Sequence, residues 1–324
     1  MKKYLLPQEG IFFKANLHAH TTLSDGRLTP EQLKDFYLAH GYSIVAYTDH
    51  RRYAFHKELC DEHFLALAAY EVDINEWPKI PGDFSRVKTY HINLYDCDPE
   101  NGAEEKVRIN PLPERRYGDT DYINHFVEEM RACGFLACYN HPYWSLQNYE
   151  DYKDLRGFFA MEIYNHGCEI DGLFGAHPQA YDEMLRTGSR LFCLATDDNH
   201  NSHPAESPLC DSFGGFTMIK APALRYGDVI EALKAGSFYS STGPLLEELT
   251  LENKQLHIRC SPVEKIYVIT EGRRCYYNVA EPGQTLSEAT FTLQGDEGYF
   301  RVDCRDSSGR HAYSNAYFLD QLMG

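Results

Sequence analysis

Asn16-Leu17-His18-Ala19-His20 ends an apolar, strand-like alternation five residues before Asp25-Gly26. Imidazoles at i and i+2 on an extended segment point to the same side, so both reach one cation. In a chain with 15 histidines a bare His-x-His pair also arises by chance, and its company decides the reading. Asp49-His50, Glu71, His91, His141-Pro142 and Asp198-Asn199-His200 each accompany an apolar run. These six imidazoles, with Asp25, Glu71 and Asp198, exceed what one tetrahedral zinc needs. Their N/O character suits Zn, Mn or Fe rather than Ca or Mg, and their number implies two or three divalent ions with Glu71 as a bridging carboxylate.

Such distant residues meet only if regular elements carry them. From residue 11 to about residue 241, apolar runs alternate with amphipathic stretches, the pattern of βα units. Strands are predicted at 11–17, 43–48, 65–70, 89–95, 135–139, 159–164 and 190–196, with helices at 121–133, 178–187 and 227–235. Thr29-Pro30-Glu31-Gln32 opens another helix through a capping box and a proline at the first helical position. The ligand candidates fall at or just beyond strand C-terminal ends, where (β/α) barrels build their sites; His91 alone falls inside its strand. Residues 77–86 and 98–118 read as long loops on that face. After Gly243-Pro244 only short β-like runs separated by turns remain. The expectation is an α/β barrel over residues 1–245 and a small β-sandwich over residues 246–324.

Composition narrows the partners. The 48 acidic side chains against 31 basic ones give a formal charge of -17, which disfavours attraction to long nucleic acid or an anionic membrane. Any phosphate chemistry would be local, with bound cations reversing the field in one pocket. No apolar run approaches the roughly 20 residues of a membrane span, and residues 1–9 break too early for a secretory leader. The ten cysteines form no Cys-x-x-Cys pair, and Cys138, Cys193, Cys260 and Cys304 sit in apolar runs, as reduced core thiols of a cytoplasmic protein do.

Taken together, His18-Ala19-His20-Thr21-Thr22-Leu23-Ser24-Asp25-Gly26, Tyr47-Thr48-Asp49-His50, Tyr70-Glu71, His91, Asn140-His141-Pro142 and Asp198-Asn199-His200 resemble the metal motifs of the PHP (polymerase and histidinol phosphatase) superfamily. Phe238-Tyr239-Ser240-Ser241-Thr242-Gly243-Pro244 and the β-rich tail are similar to its stand-alone phosphoesterase and CehA-like branch. The resemblance implies a distorted (β/α)₇ barrel. It also implies one ion on His18, His20, Glu71 and Asp198, a second on Glu71, His91 and His141, and a third on Asp25, His50 and His200. Asp197 or Asp198 can fill the carboxylate position; the spacing to His200 favours Asp198, with Asp197 supporting it from behind. A hydroxide bridging two cations and held by Glu71 would then attack phosphorus in line.

The substrate side is less defined. Arg51 and Arg52 follow His50 directly and Arg115-Arg116 lie on a loop; each pair reads either as a phosphate contact or as solvated charge. Tyr143 and His203 are further candidates, while His166 and His177 stay open. His40, His56, His63, His125, His257 and His311 lack ligand-type neighbours in sequence. The 24 tyrosines read as packing groups with hydrogen-bonded tips. The expected activity is hydrolysis of a small phosphomonoester or phosphodiester such as a nucleotide or sugar phosphate. The alternatives are a metal-dependent carbamate or amide hydrolase and a non-catalytic, metal-stabilised binding module.

Overall fold

The computed structural model describes residues 2–101 and 112–322 of the chain. Of the loop expected at 98–118, residues 102–111 lie outside the described residues. The chain is mixed α/β. In order, its first ten strands are β1 (Lys3–Tyr4), β2 (Ile11–Asn16), β3 (Ile44–Tyr47), β4 (Leu65–Asn75), β5 (Thr89–Asp96), β6 (Phe135–Tyr139), β7 (Ala160–Asn165), β8 (Phe192–Thr196), β9 (Phe216–Ala221) and β10 (Phe238–Ser241). Between them run α1 (Pro30–Leu38), α2 (Thr120–Ala132), α3 (Tyr149–Tyr152), α4 (His166–Gly172), α5 (Pro178–Arg186) and α6 (Tyr226–Ala235).

Strands β2 to β10 lie on one continuous path. β2, β3 and β4 pair in parallel, β5 runs antiparallel to both β4 and β6, and β6, β7 and β8 are parallel again. The near-continuous apolar content of β3 and β4 matches this burial on both faces. Helix α1 starts as its sequence dictates. Thr29 Oγ1 accepts from Gln32 N while Gln32 Oε1 accepts from Thr29 N, and Leu33 and Tyr37 are buried.

Two differences from the sequence reading bear on the site. β4 does not stop at Tyr70 but runs to Asn75, because Val72 and Ile74 continue its buried face, so Glu71 lies within the strand rather than beyond its end. β5 is antiparallel, with Asp73 opposite His91. Its N-terminal end therefore reaches the rim that β4 and β6 reach with their C-terminal ends, which explains the position of His91 inside a strand.

The remaining strands are β11 (Leu246–Glu252), β12 (Gln255–Val263), β13 (Lys265–Thr270), β14 (Cys275–Val279), β15 (Leu286–Thr292), β16 (Tyr299–Arg305), β17 (His311–Ser314) and β18 (Tyr317–Phe318), followed by α7 (Leu319–Leu322). β1, β11, β12 and β15 make a four-stranded sheet, an N-terminal contribution that the sequence pattern does not show. β13, β14, β16 and β17 extend the larger sheet through the ladder between β10 and β17. Leu249, Leu251, Leu256 and Ile258 share a buried core with Ile266, Val268, Phe300 and Val302. Across the seam, Arg301 Nε and Nη2 donate to the two oxygens of Asp182 at 2.9 and 2.8 Å, with Arg301 only 2% exposed. Cys138, Cys193, Cys260 and Cys304 are free and buried. Among the described residues no helix is long and apolar enough to cross a membrane.

Candidate metal centre

The rim gathers the candidates because each strand delivers its residue as the chain turns away. The run after β8 is laced to the run after β2: Asp198 N donates to His18 O at 2.9 Å and His20 N to Asn199 O at 3.1 Å. Arg51, His141 and Asp198 have φ of 54°, 23° and 52°, left-handed backbone that non-glycine residues adopt at a cost of order 1–3 kcal/mol and that concentrates at functional sites. Asp49 fixes the loop carrying Asp25, accepting from Thr21 N, Thr21 Oγ1, Ser24 N and Ser24 Oγ at 2.7–3.1 Å. A Cβ on Gly26 would stand 2.3 Å from the His20 carbonyl oxygen, so only glycine closes that loop.

All nine ligand candidates named from the sequence come together. Glu71 lies at the middle, fully buried, with Oε1 3.0 Å from His91 Nδ1, 3.3 Å from His18 Nε2 and 3.6 Å from His141 Nε2, and Oε2 2.9 Å from His50 Nδ1. Asp198 Oδ1 is 3.0 Å from His20 Nε2 and 3.1 Å from His18 Nε2, and its Oδ2 is 3.6 Å from His141 Nε2. Asp25 is 3.4 Å from His200 Nε2 and 3.7 Å from His50 Nε2. His20 joins the two halves, its Nδ1 3.8 Å from Asp25 and its ring stacked on His200 at 4.3 Å.

These distances conceal a mismatch. His18 Nε2, His20 Nδ1 and Glu71 Oε2 are buried and make no hydrogen bond, although charged partners stand close. Their donors and lone pairs converge on shared points instead of on one another. A buried polar atom left unpaired costs about 1–3 kcal/mol, so such convergence needs a reason. Divalent cations supply one, and the imidazole and carboxylate donors fit them.

A second layer of side chains orients this set. Glu162 accepts from His18 Nδ1 at 2.7 Å, His141 N at 3.0 Å, Thr196 Oγ1 at 2.7 Å and Asn165 Nδ2 at 2.9 Å. Asn140 Nδ2 donates to Glu71 Oε1 at 2.8 Å, and Ser145 Oγ lies 3.2 Å from His141 Nδ1. Partners of this kind fix tautomer and ring direction. Sequence reasoning missed Glu162, although a carboxylate in the middle of the apolar run Ala160-Met161-Glu162-Ile163 was a signal. Asp197, expected behind the ligands, accepts instead from Tyr37 Oη, Phe213 N and Gly215 N and bonds to no ligand candidate.

Without ions, protons hold the cluster together. Burial opposes the charge on Glu71 and Asp198, yet the surrounding histidines keep both well below the usual carboxylate range. Burial would likewise lower His50 and His200, but Glu71 and Asp25 respectively, with other carboxylates, lift each to about 9. His20 goes the other way, to about 4, from burial and from its imidazole neighbours against Asp198. Cations entering here would displace protons.

The site opens into a basin of about 530 Å³ whose wall adds Trp144, Cys168, Ile170, His203, Leu209 and Asp211 to the ligand candidates. Of the predicted substrate contacts, only His203 lines it. Arg51 reaches away, bonding Asp73 Oδ1 and, at 3.0 Å, Asp73 O. Arg52 is exposed on the same turn, and Arg116 pairs with Asp119 over the Tyr122 ring. Tyr143 packs on Phe174 and lines a neighbouring cavity of about 600 Å³ with Tyr149, Tyr152 and His177.

No protein-family model matches the chain, and no curated protein matches it significantly. Among solved structures it is similar to a two-domain protein of Bacteroides vulgatus containing a predicted PHP-like metal-dependent phosphoesterase, at 14% identity and a TM-score of 0.47 over 97% of this chain and 98% of that one. A Bifidobacterium adolescentis protein assigned as a metal-dependent phosphoesterase aligns at 15% identity and a TM-score of 0.36, covering 62% of this chain and 91% of that one. An amidohydrolase of Chromobacterium violaceum, with bound sulfate and no metal, aligns at 16% identity and a TM-score of 0.34, covering 60% and 93%. Identities this low carry no residue roles from one chain to another.

Proposed function

We propose that the chain is a metal-dependent phosphoesterase of the PHP type, hydrolysing a small phosphomonoester or phosphodiester, with residues 1–245 as a distorted (β/α)₇ barrel and residues 246–324 as an appended β-sandwich. The observation that carries this reading is the meeting of six imidazoles with Glu71, Asp198 and Asp25 around buried atoms that bond to nothing in the protein. Glu71 would bridge, His18, His20, His91, His141 and Asp198 would hold the inner ions, and Asp25, His50 and His200 an outer one. Ions bound there supply an acidified water as nucleophile and neutralise developing negative charge.

The residues of the chain do the rest. Glu162 and Asn140 hold the donors in place, the left-handed turns at His141 and Asp198 keep them on the rim, and Trp144, Ile170 and Leu209 offer an apolar wall to the substrate's organic part. His203 is the proposed polar contact on that wall. The wall also accommodates an aryl or alkyl carbamate or amide, which keeps that second reading open.

Purified chain, analysed for metal and assayed against phosphomonoesters, phosphodiesters and aryl carbamates, tests the reading. Metal-dependent cleavage of a phosphoester is expected. Cleavage of carbamates alone reassigns the substrate, and a fully metal-loaded protein inert toward all three classes removes the hydrolase.

A further inference from the structure

Cys168 stands in the basin wall and has no role in the reading above. It is 3% exposed. Its sulfur, a ring nitrogen of His141 and a carboxylate oxygen of Asp198 all lie within 4.8 Å of one another. The placement is built rather than incidental. Asn165 Oδ1 accepts from Cys168 N at 2.9 Å, while the same residue's Nδ2 donates to Asp198 Oδ2 at 3.1 Å. One side chain therefore registers the cysteine and the aspartate together. Gly167 N donates to Asp197 O at 2.7 Å, and a Cβ there would stand 2.8 Å from Asp198 O, so glycine lets the start of α4 press against the turn that presents Asp198.

Through Oδ1, Asp198 also faces an unsatisfied imidazole nitrogen. His18 Nε2, fully buried and without a hydrogen bond, lies 3.1 Å from Asp198 Oδ1, and the His18 ring stacks on His141 at 5.8 Å. Asp198 is thus shared between the His18 and His20 side of the centre and the corner it forms with His141 and Cys168.

We propose that Cys168 is a thiolate ligand to an inner ion lying between it, His141 and Asp198, an inference that rests on the metal-centre reading. As the ion arrives, the S–H bond gives way to a sulfur–metal bond and the proton leaves to solvent, with no change of oxidation state. A soft ligand in an otherwise N/O set favours zinc or iron(II) over manganese or magnesium at that position.

The test uses the full chain reconstituted with cobalt(II) alone, after alkylation of the exposed Cys275. The wild-type protein is expected to show a near-ultraviolet sulfur-to-cobalt charge-transfer band. Cys168→Ala loses it while retaining the visible bands of cobalt bound to nitrogen and oxygen, and its preference for zinc over manganese falls about tenfold. Cys168→Ser, close in size, serves the same purpose if the alanine variant does not fold. Cobalt bound without a sulfur band, or a band that survives in Cys168→Ala, overturns the proposal and leaves the metal centre standing. A wild-type chain that binds no cobalt overturns both.

Discussion

Two places in this molecule bury charge, and they do it in opposite ways. At the seam, Arg301 and Asp182 meet fork to fork, both Asp182 oxygens taking a guanidinium donor, while Arg301 Nη1 lies 3.8 Å from Asp303 without a hydrogen bond. At the rim, Glu71 and Asp198 are surrounded by imidazoles at comparable distances, yet His18 Nε2, His20 Nδ1 and Glu71 Oε2 find no partner. The seam pair matches two donors to two acceptors and strands one nitrogen; the rim strands atoms of three neighbouring residues among ligand-type side chains.

The contrast breaks most sharply under substitution. His18→Ala, His141→Ala or Asp198→Ala is expected to lower hydrolysis by about 10³-fold or more and to reduce bound metal, with the unfolding midpoint little changed. Wild-type turnover in any of them, with full metal loading excluded, would count against the assignment. Asp182→Ala should do the converse, costing about 3–5 kcal/mol in denaturant unfolding by stranding the Arg301 charge, while folded molecules keep their turnover. Glu162→Gln or Asn165→Ala should fall between these, weakening metal affinity by about 10–100-fold in equilibrium titrations.

Smaller effects sharpen the same distinction. His177 is a buried imidazole whose Nε2 has no partner, and burial, with His141 adding to it against Glu162, lowers its pKa to about 3. A folded-state pKa below the unfolded one means that the unfolded chain binds the proton first. Stability of the metal-free protein should therefore decline as pH falls below about 6.5 toward 3, and His177→Gln should flatten that decline in pH-dependent chemical unfolding. Arg51→Ala removes a half-exposed pair with Asp73 and should cost at most about 1 kcal/mol. An increase of KM in that variant would show that Arg51 swings from Asp73 to the substrate.

Much of the rim was legible because its motifs punctuate strands: His18-Ala19-His20, Asp49-His50, Asn140-His141-Pro142 and Asp198-Asn199-His200 each interrupt an apolar run with ligand-type side chains. Strand direction was not legible, since a period of two residues reads the same either way, and the role of His91 depended on β5 running backwards. Glu162 was hidden inside a strand, where its partners come from the segments after β2 and β6 and from the end of β8, and no spacing rule links them. Arg51 misled for a local reason: the left-handed turn after His50 sends its side chain to Asp73 on the next strand. The pairing of β1 with β11 joins Lys3 to Leu251 and Tyr4 to Thr250, beyond any local pattern.

Because β4 and β5 run against each other, the connection from Glu76 to Lys88 leaves and re-enters the fold beyond the strand ends that carry Glu71 and His91, closed at its base by Glu76 N donating to Lys88 O at 2.8 Å. Lengthening such an arch is thermodynamically cheap, about 0.6 kcal/mol per doubling, and shifts no other strand. Trp77, Ile80 and Phe84 lie exposed along it. The arch is thus a segment that evolution or an engineer can rewrite for a new clientele while the ion-holding scaffold beneath keeps its geometry.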